Sequence, residues 1–122
     1  MIVMGTILNV TCNSGVEQVK CFGINGSTGD RVASIGDVVM VSVRKVKPNL
    51  KIKKGDKYYG VIVRMKKKIK RSDGSFVSFS DNAVVLVDNK TLEPIATRVF
   101  GPVAREIKSD FPRVVSLASE VL

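Results

Sequence analysis

The chain has no histidine and only two cysteines, Cys12 and Cys21. Without histidine the commonest general base and the commonest metal-ligating side chain are both missing. Two thiols cannot complete a zinc site, and they give no secreted disulfide framework. They read instead as small buried strand residues. A nucleophile elbow and a P-loop are absent as well. The aspartates Asp30, Asp37, Asp56, Asp73, Asp81 and Asp88 fall in turn contexts, where a short carboxylate bonds the local backbone. Nothing in their spacing marks a paired-carboxylate site. We therefore expect no catalytic residue, no metal, no cofactor and no small-molecule substrate. Long hydrophobic runs are also lacking. The apolar start, Met1 to Val10, is broken by Thr6 and Asn9 and is too short to span a bilayer. No basic stretch precedes an apolar one as in a secretory signal, and no Arg- and Ser-rich transit peptide is seen. These absences exclude a membrane partner and predict a soluble intracellular protein. No internal repeat or low-complexity tract is visible.

What the chain does have is charge of one sign in one place. Its 122 residues are 44% hydrophobic and 25% charged, ordinary for one folded domain. The net charge is +9, from 20 basic and 11 acidic residues. Between Arg44 and Arg71 lie 13 basic residues and 1 acidic residue, Asp56; the rest of the chain holds 7 basic and 10 acidic. One segment thus carries all of the positive excess, the footprint of a polyanion-binding face.

Short β-rich runs frame that segment. Ile2 to Val10 and Val16 to Ile24 flank the turn cluster Asn13-Ser14-Gly15. Gly23, Gly26 and Gly29 punctuate a polar loop whose spacing is not a dinucleotide fingerprint. Val38 to Arg44 is apolar on both faces, as in a strand of a small barrel. Lys45 to Lys57 is a basic loop with Pro48 and Gly55, and Tyr58 to Met65 is a strand running straight into the cationic stretch. Ala83 to Val87 is a buried strand, and Leu92 to Phe100 a shorter one interrupted by Pro94. Gly101-Pro102 is expected to end the β region. Beyond it Val103, Ile107 and Phe111 recur at helical spacing, with a break at Pro112. A second turn is expected over Arg113 to Leu122, with Val114, Leu117, Ala118 and Val121 inward. The fold class is mainly β, a closed or nearly closed OB-like or SH3-like barrel of five or six strands with a small helical tail.

The stretch from Lys66 to Phe79 reads as a hairpin arm. Five of the six residues from Lys66 to Arg71 are cationic, and Asp73-Gly74 is a strong signal for a two-residue turn. Such a turn sets Arg71 opposite Phe76, Lys70 opposite Val77 and Lys68 opposite Phe79. Phe76 and Phe79 can stack on unpaired bases, but phenylalanines on a hairpin more often pack on each other or on lysine stems. A Lys-rich strand can also be just a charge-protected edge. The surrounding basic residues favour the phosphates of a nucleic acid. The candidate RNA-binding residues are Arg44, Lys45, Lys47, Lys51, Lys53, Lys54, Arg64, Lys66, Lys67, Lys68, Lys70 and Arg71. Residues 104–122 carry three basic and three acidic residues, a near-neutral surface that suits protein recognition better than phosphate binding. Two other function classes fit the charge alone: a free-standing single-stranded nucleic-acid-binding barrel or RNA chaperone, and a protein-interaction module solubilised by its lysines.

From Gly60 onward the residues resemble one family closely. Gly60-Val61-Ile62-Val63, then Asp73-Gly74, Phe79, Asn82 and Val85-Leu86 look like the diagnostic pattern of the universal large-subunit ribosomal protein fourteen family, with its spacing intact. Asn13-Ser14-Gly15, Gly36-Asp37, Lys53-Lys54-Gly55-Asp56 and Thr97 to Val103 with Arg105-Glu106 are similar to further family blocks. So are Ser116-Leu117-Ala118 and the closing Glu120-Val121-Leu122. The length resembles the bacterial and organellar branch. The chain departs from that pattern at Val16-Glu17-Gln18 and at Ser27 to Arg31, where basic residues are usual, and at Ser119, where proline is common.

The resemblance implies a single domain over residues 1–122. It would be a five-stranded barrel with a projecting hairpin (66–79) and a short helical carboxyl-terminal segment (103–122). It implies a structural protein of the large ribosomal subunit, in the bacterial cytoplasm, a mitochondrion or a plastid. The implied partners are large-subunit rRNA, the neighbouring large-subunit protein nineteen, small-subunit rRNA across an intersubunit bridge, and a ribosome-silencing factor. Thr97, Arg98 and Arg113 are similar to that factor's docking residues.

Overall fold

Five strands close on themselves: β2 (Ile7–Val10), β3 (Val16–Ile24), β5 (Val38–Val46), β6 (Lys57–Arg64) and β9 (Ala83–Val87), hydrogen-bonded in that order. This computed structural model describes residues 2–24, 32–47, 54–88, 90–91 and 93–122. Neighbours are antiparallel except β2 and β9, whose parallel pairing of Asn9 with Ala83 and Val10 with Val84 seals the barrel. Closure removes the open edges that a flat sheet of these β-branched residues would expose.

The sequence explains which strands sit where. Along β3 and β5 the pleat alternates: Val19 and Cys21, then Val39, Val41 and Val43, are buried, while Lys20 is exposed. In β9 all five residues are buried, as are Val61, Ile62 and Val63 of β6. These two strands are covered on both faces, which is why they read as unbroken apolar runs. Part of the cover is the carboxyl-terminal segment. Ile107, Phe111 and Val114 join the same apolar cluster as the barrel, and the Ala104 amide donates to the Val63 carbonyl at 3.1 Å. Cys12 and Cys21 are buried free thiols, and burial pushes the Cys21 pKa up.

Several expected boundaries shift. The run Ile2 to Val10 divides at Gly5, which takes φ +93°, into β1 (Ile2–Val3) and β2. β1 leaves the barrel to pair with β4 (Val32–Ala33). Lys45, Val46 and Lys57, expected in the basic loop, are strand residues of β5 and β6. β6 stops at Arg64, so barrel strand and arm are not one continuous strand. The arm's own pairing is β7 (Ile69–Lys70) with β8 (Phe76–Val77). Leu92 lies outside the described residues. Pro94 makes only an isolated bridge to Val87, and the chain becomes strand again at β10 (Val99–Val103).

β10 runs through Gly101-Pro102 rather than ending there. Its parallel partner is β11 (Ala118–Val121), so the last residues are strand instead of a second helical turn. Val121 is consequently exposed and not packed inward. Gly101, at φ +74°, absorbs the register shift between Val99 and Pro102, and the missing donor of Pro102 is tolerated on a short peripheral strand. Helix is confined to a 3-10 turn, Arg105–Ile107, and to α1 (Pro112–Leu117). Pro112 opens α1 instead of breaking it. Its fixed φ suits the first helical position, where no amide donor is needed. Among the described residues no helix is long and apolar enough to cross a membrane.

Candidate nucleic-acid interface

The arm turns through three residues, not two. Arg71 and Ser75 face each other: the Arg71 amide donates to the Ser75 carbonyl at 2.9 Å, and the Gly74 amide to the Arg71 carbonyl at 3.0 Å. Gly74 takes φ +87° in the place that requires a left-handed residue. The Asp73 carboxylate accepts from the Ser75 hydroxyl at 2.6 Å and the Ser75 amide at 3.0 Å. These bonds hold its pKa below the usual carboxylate range, the hydroxyl bond foremost. The register therefore moves by one residue from the expected one, with Lys70 opposite Phe76 and Ile69 opposite Val77. Phe76, expected to pack, is 59% exposed.

Two bonds fix the root of the arm to the barrel. The Lys66 amide donates to the Asn82 side-chain oxygen at 2.9 Å, and the Phe79 amide to the Met65 carbonyl at 3.0 Å. Asn82 was legible only as part of the family pattern; its spacing alone does not reveal this bond.

The twelve candidate cations divide into three groups. Lys51 and Lys53 lie outside the described residues. Arg44, Lys45, Lys47, Lys54, Lys66, Lys67, Lys68 and Lys70 are exposed, and none has a carboxylate partner among the described residues. Arg64 and Arg71 are different. The Arg64 guanidinium meets Asp81, with Nε 3.0 Å from Oδ1 and Nη2 donating to Oδ2 at 3.2 Å. Its Nη1 also reaches the carbonyls of Phe100 and Pro102, both at 3.4 Å. A Cβ at residue 101 would run into that Nη1, so Gly101 is needed for space as well as for its backbone angle. Arg71 Nε lies 2.6 Å from Glu106 Oε1, and its Nη2 donates to the Leu122 carbonyl. Both guanidiniums act inside the protein: Arg64 ties β6 to β10, and Arg71 ties the arm to the carboxyl-terminal segment. A thirteenth cation, Lys57, sits 5.7 Å from the centre of the Phe22 ring.

Thr97, Arg98 and Arg113 are all exposed. A residue that the spacing does not single out sets the first two. The Asn13 side-chain oxygen accepts the amides of Thr97 (3.0 Å) and Arg98 (3.1 Å), and its Nδ2 donates to Thr97 Oγ1 at 3.0 Å. The Asn13 amide in turn donates to the Arg98 carbonyl at 3.2 Å. Arg113 stands apart on α1, and no bond joins it to Thr97 or Arg98 among the described residues.

Exposed cations of this kind can neutralise phosphates, and the Asn13 clasp presents a fixed loop at Thr97 and Arg98. Among the described residues no group of three or more Cys, Asp or Glu side chains is placed to hold a metal ion. The family model described as Ribosomal protein L14p/L23e matches residues 1–122. The chain accordingly belongs to the ribosomal protein L14p/L23e family, a structural rather than enzymatic component of the large ribosomal subunit in the cytoplasm or an organelle.

Proposed function

We propose that the whole chain, residues 1–122, works as one rRNA-binding domain of the large subunit, with the arm (66–79) and the basic loop as its phosphate-contacting parts. The observation that carries this is the sorting of cations. Eight are exposed without carboxylate partners among the described residues, on the far part of β5, beside Gly55 and along the arm, while the two internal arginines are held by Asp81 and Glu106. Unpaired lysines gain most from meeting phosphates because they release condensed counterions without first breaking a protein ion pair. Lys51 and Lys53 extend the same basic loop in sequence.

Thr97, Arg98 and Arg113 form the docking surface for a ribosome-silencing factor in this reading, and the exposed face contributes to an intersubunit bridge beside large-subunit protein nineteen. The support is the family membership, the Asn13 clasp that presents Thr97 and Arg98 outward, and the balanced charge of residues 104–122.

Charge reversal tests the RNA face. Lys66, Lys67 and Lys68 changed together to Glu should weaken binding to the rRNA site far more than Lys20, Lys90 and Lys108 changed together. Equal losses in the two triple variants would mean that no localised face exists. Particles carrying Arg98→Glu and Arg113→Glu should keep this protein but fail to bind the silencing factor; undiminished binding removes the docking assignment.

A further inference from the structure

Beside the Asn13 turn an open cleft of about 710 Å³ is bounded by β2, β3, the end of β5 and Phe100 of β10. Its size suits a small planar ligand group. Val10 and Val16 give it an apolar lining, and four side chains distinguish it: Gln18, Lys45, Lys47 and Phe100.

Gln18 is held by a chain of partners that reaches into the frame. Its Nε2 donates to Asn9 Oδ1 at 3.4 Å, Asn9 Nδ2 donates to Asp81 Oδ2 at 3.1 Å, and Asp81 is the partner of Arg64. That chain orients the carboxamide and leaves Oε1 and one Nε2 hydrogen without partners among the described residues. A fixed amide with one acceptor and one donor can pair with the edge of a nucleobase.

Phe100 keeps 49% of its surface exposed although its backbone is tied down on both sides, by the Thr11 carbonyl and by Arg64 Nη1. A large exposed ring that lines an open cleft is a stacking platform. Lys45 stands in register with Gln18, and the Lys47 amide is fixed to the Gly15 carbonyl at 2.9 Å. Glu17 is the one acidic residue lining the cleft, so the local excess is a single positive charge. That balance suits one phosphate and disfavours a long run of them.

We propose that this cleft seats one unpaired RNA nucleotide. The base stacks on Phe100, its edge bonds the Gln18 amide, and Lys45 with Lys47 holds the phosphate. This rests on the reading of the chain as an RNA-binding protein, and it adds a subsite that recognises an unstacked base where the rest of the face meets backbone. Two lysines without a carboxylate partner among the described residues, beside the Gln18 amide, favour a nucleotide over a peptide segment as the occupant.

The chain contains no tryptophan, so Phe100→Trp installs a unique fluorophore at the stacking position. The full chain carrying it is titrated with single-stranded hexa-adenylate and with an RNA duplex of equal charge, after circular dichroism has shown the barrel intact. The single strand should quench the indole and the duplex should not. Phe100→Ala should weaken single-strand binding about 5- to 100-fold. Gln18→Ala should weaken it too while duplex binding persists, and the Lys45→Ala/Lys47→Ala pair should weaken single-strand binding more than duplex binding, which loses only two of the eight exposed cations. Because these are surface substitutions, they keep the test open even if the Phe100 variants fold poorly. Binding of the hexamer without quenching, and undiminished by Phe100→Ala or Gln18→Ala, overturns the subsite while leaving the RNA face standing. No affinity for either RNA at low salt overturns the RNA reading itself. Quenching by a docked protein but not by RNA overturns the nucleotide in favour of a protein occupant.

Discussion

The arm and the carboxyl-terminal segment are both appendages of the same barrel, yet they are attached in opposite ways. The arm has two paired residues in each strand, only exposed or half-buried side chains, and a dense run of lysine. The carboxyl-terminal segment is nearly neutral and places Val103, Ala104, Ile107, Phe111 and Val114 in the core. One projects charge and contributes little burial; the other contributes burial and projects little charge. Arg71 joins the two, spanning from the arm to Glu106 and Leu122. The lesson is that a basic residue's neighbours in sequence do not give its role. Lys70 and Arg71 are adjacent, and one faces solvent while the other is an internal tie.

The strongest way to break this contrast is to remove buried volume from one region and strain the other. Ile107→Ala should cost roughly 2–5 kcal/mol, since the side chain is fully buried and leaves a cavity. Gly74→Val should cost the fold under about 1 kcal/mol, because the strain of its positive φ is confined to an arm tip with open space around it. Urea unfolding of the two variants measures both. Equal losses would show the arm to be part of the core.

Arg71 sharpens the comparison at intermediate size. Its side chain is 11% exposed and that of Glu106 32%, between a surface pair and a buried one. Arg71→Ala should therefore cost roughly 1–2 kcal/mol and raise amide exchange across the arm. Lys70→Ala beside it should stay within about 0.5 kcal/mol. Matching effects at the two positions would erase the distinction between tie and contact.

The smallest expected effect is in acid. The Asp73 pKa is lowered in the folded turn, so its contribution is present above the unfolded value and lost as pH falls through the folded one. The protection of the Ser75 amide, taken relative to its intrinsic exchange rate at each pH, should hold from neutral pH down to the ordinary carboxylate range and should fall relative to the barrel only below it. Acceleration already at neutral pH would mean that the carboxylate does not hold the turn.

Much of the barrel was legible because apolar runs bounded by Gly, Asn and Asp can do little but pair and bury. Val38 to Arg44 and Ala83 to Val87 are of this kind. The arm was legible as a hairpin but not in register. Asp-Gly serves both a two-residue and a three-residue turn, and the choice was made by the Asp73 bonds to Ser75. Pro112 was ambiguous for a similar reason, since proline both ends helices and starts them. The internal roles of Arg64 and Arg71 were not legible at all. Their partners Asp81 and Glu106 lie 17 and 35 residues away, and charge counting treats every cation alike. The Asn13 clasp on Thr97 spans 84 residues and was equally hidden.

The account's central claim is that the exposed lysines and arginine meet phosphates while the two internal arginines do not. The salt dependence of binding between purified protein and its rRNA site tests this directly. If the eight exposed cations make those contacts, the logarithm of the affinity should fall against the logarithm of salt with a slope of roughly −6 to −7. A slope near −2 by the same counterion-release relation, about what two or three phosphates give, would contradict it.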